Sequence, residues 1–86
     1  MEDLKNTVAL MESDDYQERF IAEYWQTKIR YERLKKYNNA IEAHQGTEAE
    51  PSHNCPLKLL REQERAMLRY LTILEKRAAI EQVPLG

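Results

Sequence analysis

The sequence predicts an all-α fold: a short N-terminal helix followed by a long antiparallel helical hairpin, assembled as a homo-oligomeric helical bundle. Three observations carry this. Gly and Pro fill only five of the 86 positions, and neither occurs between Ser13 and Gln45. Apolar residues recur at spacings alternating 4 and 3 in two long segments, the period of a packed helical seam. Those segments carry more apolar rows than one hairpin can cover, so further copies are needed to complete the core. There is no strand-like alternation and no internal repeat, and residues 1–86 are expected to form a single domain.

In chain order, Leu4, Val8 and Met11 share one helical face and predict a helix over about residues 2–12. A helix this short is marginal in water, so it must dock. Ser13-Asp14-Asp15 reads as an N-cap with acids in the first turn, where the helix dipole favours them. Asp15 and Glu18 have the spacing of a capping box. A second helix is predicted over residues 14–44, with a seam of Phe20, Tyr24, Thr27, Tyr31, Leu34, Asn38 and Ile41. Residues 45–55 hold Gly46 and Pro51 and no large apolar side chain, so they form the loop. Pro56 suits the first helical position, where its missing N–H needs no partner. Cys55 beside it reads as a small buried residue. The third helix, over 56–82, ends before Pro84. Its seam is Leu57, Leu60, Glu64, Met67, Leu71, Leu74 and Ala78.

At about 100° per residue, a second row runs beside that seam: Leu59, Gln63, Ala66, Tyr70, Ile73, Arg77 and Ile80. Two rows cover about twice the apolar arc, roughly 100° wide, that a helix in a simple hairpin buries. Ile21, Trp25 and Ile29 form a comparable extra patch on the second helix. The oligomer interface is therefore expected at Ile21, Trp25, Ile29, Leu59, Ala66, Ile73 and Ile80.

The net charge of −2 argues against nucleic acid as a partner. The sum conceals a pattern: −5 over residues 1–27, +4 over 28–41, −3 over 42–56 and +3 over 57–77. Anionic ligands belong at the two basic helix centres. A ridge of Arg61, Arg65, Arg69 and Lys76 is a third-ranked nucleic-acid candidate. A single cysteine allows no intrachain disulfide and suits a reducing cytoplasm. No apolar run reaches the roughly 18 residues of a membrane span, and the N-terminal residues lack the pattern of a signal peptide.

Metal binding is not expected, because His44, His53 and Cys55 are the only soft ligands and lack paired spacing. Nor is catalysis, or any cofactor. The sequence has no Gly-rich phosphate cradle and no oxyanion-type loop, and its paired acids are explained by capping. The polar stripe of the second helix is more informative. Arg19, Gln26, Arg30 and Arg33 share a face, and from Tyr24 to Tyr37 basic and aromatic residues interleave. Guanidinium groups pair with phosphates and rings stack on bases. The plainer alternative is a solvated charged face over an ordinary aromatic core.

Two stretches carry a resemblance. The first is Ser13-Asp14-Asp15-Tyr16-x-Glu18-Arg19-Phe20-x-Ala22-Glu23-Tyr24-x-Gln26 with Ile29-Arg30-Tyr31. The second is Cys55-Pro56-x-x-Leu59-Leu60-x-x-Gln63-x-x-Ala66-Met67-x-x-Tyr70-Leu71-x-x-Leu74-x-x-Arg77-Ala78-x-Ile80-Glu81. With these the chain resembles a family of small uncharacterised phage and prophage proteins, related to a protein of crAss-like phages. Its helix layout, with the stretch Leu60 to Ala79, is also similar to the hairpin domain of phage anti-CBASS and anti-Thoeris sponges. Those proteins oligomerise and trap nucleotide immune signals between protomers. The resemblance implies an anti-defence protein of the infected bacterial cytoplasm that sequesters a small anionic nucleotide, either a cyclic oligonucleotide or an ADP-ribose derivative, without cleaving it. Arg19, Lys28, Arg30 and Arg77 would meet phosphates, Tyr24 and Tyr70 would stack on bases, and Gln26 and Gln63 would read polar edges. The alternative is a protein-binding inhibitor or adaptor that acts on a host factor through the Ile21, Trp25, Ile29 patch.

Overall fold

The computed structural model describes residues 3–86. It holds a 3₁₀ turn (Leu4–Thr7), α1 (Val8–Met11), α2 (Tyr16–Ala43) and α3 (Leu57–Glu81). All the regular structure among the described residues is helical. The N-terminal segment differs from the single helix expected over 2–12, whose start at Glu2 lies outside the described residues. Asp3 caps the turn by accepting from the Lys5 N–H at 3.2 Å. Thr7 then donates its hydroxyl to the Leu4 carbonyl at 2.6 Å. Such a local side-chain bond competes with α geometry, so the segment starts as 3₁₀ and makes only one α turn. Thr7 is fully buried, and the segment packs on α2 and not on α3.

Asp15 is the N-cap of α2, accepting from the Gln17 N–H at 3.0 Å. The expected capping box does not close. Ser13 Oγ takes the Asp15 N–H at 3.0 Å and donates to Glu18 at 2.6 Å, so Glu18 binds the serine hydroxyl instead. The helix then runs for 28 residues, about 42 Å at 1.5 Å per residue.

Pro56 is the N-cap of α3 rather than its first residue, with φ −60° and an extended ψ of 142°. Its carbonyl accepts the first two helical bonds, from Leu59 and Leu60. Cys55 is exposed, which corrects its reading as a buried residue. A residue before proline is pushed toward extended backbone, so Cys55 stands outside the helical face that meets the core.

The seam forms as the spacing predicts. Tyr16 bonds to Glu81, Tyr24 to Glu75 and Asn38 to Leu60, so α2 and α3 run antiparallel. Phe20, Tyr24, Tyr31, Leu71, Leu74 and Ala78 are buried in one core cluster. Burial of a leucine the size of Leu71 or Leu74 contributes about 1.5–3 kcal/mol. Asn38 is fully buried at the far end of the seam, where its Nδ2 donates to the Leu60 carbonyl and to Glu64, both at 3.1 Å.

The C-terminal segment supplies a packing layer with no counterpart in the sequence reading. Gln82 adopts left-handed backbone (φ 58°), and the Gln82 and Val83 N–H groups both bond to the Ala78 carbonyl. This turn sends the chain back onto α2. Val83 enters the core, and Trp25 Nε1 donates to the Leu85 carbonyl at 2.7 Å.

Candidate functional site

Helical rotation places Arg19, Gln26 and Arg30 along one side of α2 and Gln63, Tyr70 and Arg77 along one side of α3. Bonds between Tyr16 and the Arg77–Glu81 pair put these two sides on the same face of the hairpin. The structure therefore gathers six of the eight proposed ligand residues on one face. The N-terminal segment lies over the α2 half of that face, with Gln26 Nε2 3.3 Å from Met11 Sδ. Between them opens a cleft of about 360 Å³. Leu4, Val8 and Met11 supply its apolar wall, Lys5 and Arg30 cations, Gln26 an amide, Thr7 a hydroxyl and Glu12 a carboxylate. Largely apolar walls with a few polar groups are the usual make-up of a small-molecule pocket. Lys5, Val8 and Met11 were missed as site residues. Their helical spacing was visible, but that spacing signals docking rather than ligand contact.

The cations differ in availability. Arg30 is exposed and makes no ion pair among the described residues. Arg19 donates to the Ser13 carbonyl at 2.9 Å, which ties it to the start of α2. Arg77 is held by Glu81 at 3.1 Å and by the Tyr16 hydroxyl at 2.8 Å, and it lies 5.0 Å over the Phe20 ring. The hydrogen bond to Glu81 raises the Tyr16 hydroxyl pKa, and Arg77 is raised with the same carboxylate as its main partner. The bond from Tyr16, with that from Arg77, lowers Glu81. A phosphate reaching Arg77 would share it with Glu81.

Tyr24 and Lys28 stand apart from this face. Tyr24 is 6% exposed inside the seam and donates to Glu75 at 2.8 Å. Burial, with that hydrogen bond, pushes its pKa up to about 12. Its ring is core, packed edge-on against Trp25, and offers no open stacking surface in the single chain. Lys28 pairs with Glu32 at 3.8 Å on the other side of α2. The two expected interface patches also differ. Ile21, Trp25 and Ile29 are half-buried, Ile21 and Trp25 against the chain's own core. The whole α3 row from Leu59 to Ile80 is exposed, Ile80 by 82%.

Among the described residues no three His, Cys, Asp or Glu side chains are grouped to hold a metal ion. His53 instead spans the loop, with Nε2 2.9 Å from Glu50 and Nδ1 2.7 Å from the Cys55 carbonyl. No helix among them is long and apolar enough to cross a membrane. Residues 14–80 match the family model described as Sequestin. No curated protein and no solved structure shows a significant match.

Proposed function

The chain belongs to the Sequestin family, and from that premise we propose that it binds and sequesters a small nucleotide immune signal without cleaving it. The signal is a cyclic oligonucleotide or an ADP-ribose derivative, and the protein acts as a phage-encoded anti-defence factor in the cytoplasm of the infected host. It works as a homo-oligomer. The observation that carries this reading is the extent of the family match, which spans α2 and all but the last residue of α3, and with them the six ligand residues gathered on one face.

The shared face supports the reading chemically. Arg30 offers a guanidinium with no ion pair among the described residues for phosphate, Gln26 an amide for a base edge, and Tyr70, 42% exposed, a ring for stacking. Sequestration at nanomolar affinity requires about −12 kcal/mol. A charge-assisted hydrogen bond contributes roughly 1.5–3 kcal/mol, so one pocket needs several such contacts together with stacking. Arg19 and Arg77, at the Tyr16 end of that face, can supply further ones, whereas Gln63 lies about 21 Å from Arg77 along α3 and is too far to share their pocket in one copy. Isothermal calorimetry against a panel of cyclic oligonucleotides and ADP-ribose derivatives tests the proposal. A saturable heat with one class is expected, weakened about 10–100-fold in Arg30→Ala and in Tyr70→Ala, which corresponds to about 1.4–2.8 kcal/mol. The absence of heat with every phosphate-bearing ligand would contradict it.

A further inference from the structure

We propose that a second copy of this chain packs on the outer row of α3 in an antiparallel, twofold arrangement centred on Tyr70. This rests on the self-association in the reading above, and not on the nucleotide. The row is exposed along its length, with Leu59 54%, Tyr70 42%, Ile73 48% and Ile80 82% accessible. From Leu59 to Ile80 it spans about 32 Å at 1.5 Å per residue.

The composition of the row specifies both the occupant and the direction. Alternating 4-3 spacing pairs the positions about any member of the row, and a centre at Tyr70 sets unlike, complementary residues opposite each other: Gln63 lies seven residues before and Arg77 seven after, Ala66 four before and Ile73 three after. In an antiparallel twofold pair, Leu59 meets the partner's Ile80 and Ala66 meets the partner's Ile73, so a small residue faces a large one. Gln63 meets the partner's Arg77. Arg77 uses Nε on Glu81 and one terminal nitrogen on Tyr16, leaving N–H donors for an amide oxygen. On the flank, Glu62 falls beside the partner's Lys76, a pair of opposite charge. The single like-charge approach, Arg69 to its own mate, lies at the solvent edge, where screening limits its cost. A parallel pair would instead set Arg77 against Arg77 and leave a void between two Ala66. An isologous interface requires a self-complementary patch of this kind. It also makes the ligand face incomplete in one copy, because the partner's α3 then borders that face across the twofold axis.

Cysteine cross-linking in a Cys55→Ser background tests this arrangement, with circular dichroism confirming that each variant is helical. Under mild oxidation Tyr70→Cys is expected to give a covalent dimer, since the axis passes through it. Leu59→Cys alone is expected to stay uncross-linked, because the two copies of residue 59 lie about 32 Å apart and a disulfide needs Cα atoms within about 7 Å. Leu59→Cys combined with Ile80→Cys is expected to cross-link. Dimer formation by Leu59→Cys alone, or failure of both Tyr70→Cys and the double variant, overturns the arrangement. Light scattering of the unmodified chain must also show an even number of copies, and a monomer or an odd-numbered ring overturns it. The nucleotide reading stands or falls separately by calorimetry. Heat without this cross-linking pattern removes only the interface, and the pattern without heat removes only the ligand.

Discussion

Asn38 is the residue on which the far end of the hairpin depends. Its Nδ2 donates to Glu64 and the Leu60 carbonyl inside a largely apolar and aromatic seam, while its Oδ1 is buried without a partner among the described residues. Burial alone would raise Glu64, but the hydrogen bonds from Asn38 and Arg61, with the charges of Arg61 and Lys35, hold it below the usual carboxylate range. Asn38→Ala removes both bonds and the buried side-chain volume, while Glu64 keeps Arg61 at 2.6 Å. A loss of about 1–3 kcal/mol in urea unfolding is expected, with the α-helical circular dichroism of the folded state retained. Gln82 presents the opposite case. A side chain in left-handed backbone costs roughly 1 kcal/mol that glycine avoids. Gln82→Gly is therefore expected to raise the unfolding free energy by up to about 1 kcal/mol. A loss instead would show that the Gln82 side chain has a role its backbone does not reveal.

At the scale of elements, the loop and the C-terminal segment are secured by a few bonds each. His53 is raised above its usual pKa by the Cys55 carbonyl and by Glu50, while the Gly46 N–H, with His53, lowers Glu50. The signs follow from linkage. The His53 contribution is fully present below pH about 6.5 and is lost as pH rises through its higher folded value. The Glu50 contribution is present above its unfolded value and lost as pH falls through its lower folded one. The loop clasp is thus strongest in mildly acidic solution. Amide exchange over residues 46–55, corrected for its intrinsic pH dependence, is expected to speed up between pH 6 and pH 8, and His53→Ala is expected to abolish that change. The C-terminal segment is tied down by Val83 and by the Trp25–Leu85 bond. Truncation after Gln82 is expected to red-shift the fluorescence of Trp25, the single tryptophan. An unchanged spectrum would mean that Trp25 is covered from elsewhere.

The elements also show what could be read in advance and what could not. Both seams were legible because Phe20 to Ile41 and Leu57 to Ala78 keep helical spacing without interruption. The 3₁₀ start was hidden because one hydroxyl bond, from Thr7 to Leu4, decides it. The return of Val83 and Leu85 was hidden because it depends on a non-glycine residue, Gln82, entering left-handed backbone. For the candidate site, helical period was enough to align Arg19, Gln26 and Arg30. Period could not show that Tyr24 spends its hydroxyl on Glu75, or that Met11 would close over Gln26.

For the whole molecule, the decisive fact is an imbalance of partners. The hairpin buries one row of α3 and leaves the next exposed from Leu59 to Ile80, on the face that also carries Arg30 and Tyr70. Apolar residues clustered on a small protein's surface usually mark an interaction site. Here the row, its polar members included, would bind another copy, with the ligand held on the face that the copies border. Ile73→Asp, which places a charge in the exposed row without touching the buried seam, is expected to reduce the assembly to smaller species and to lower ligand affinity with it. The central claim, that the chain holds a nucleotide intact between copies, is tested most directly by native mass spectrometry after incubation with cyclic oligonucleotides and ADP-ribose derivatives. The predicted result is an oligomer with bound ligand that returns at its original mass after denaturation. A ligand-free monomer, or a ligand recovered as cleavage products, would contradict the claim.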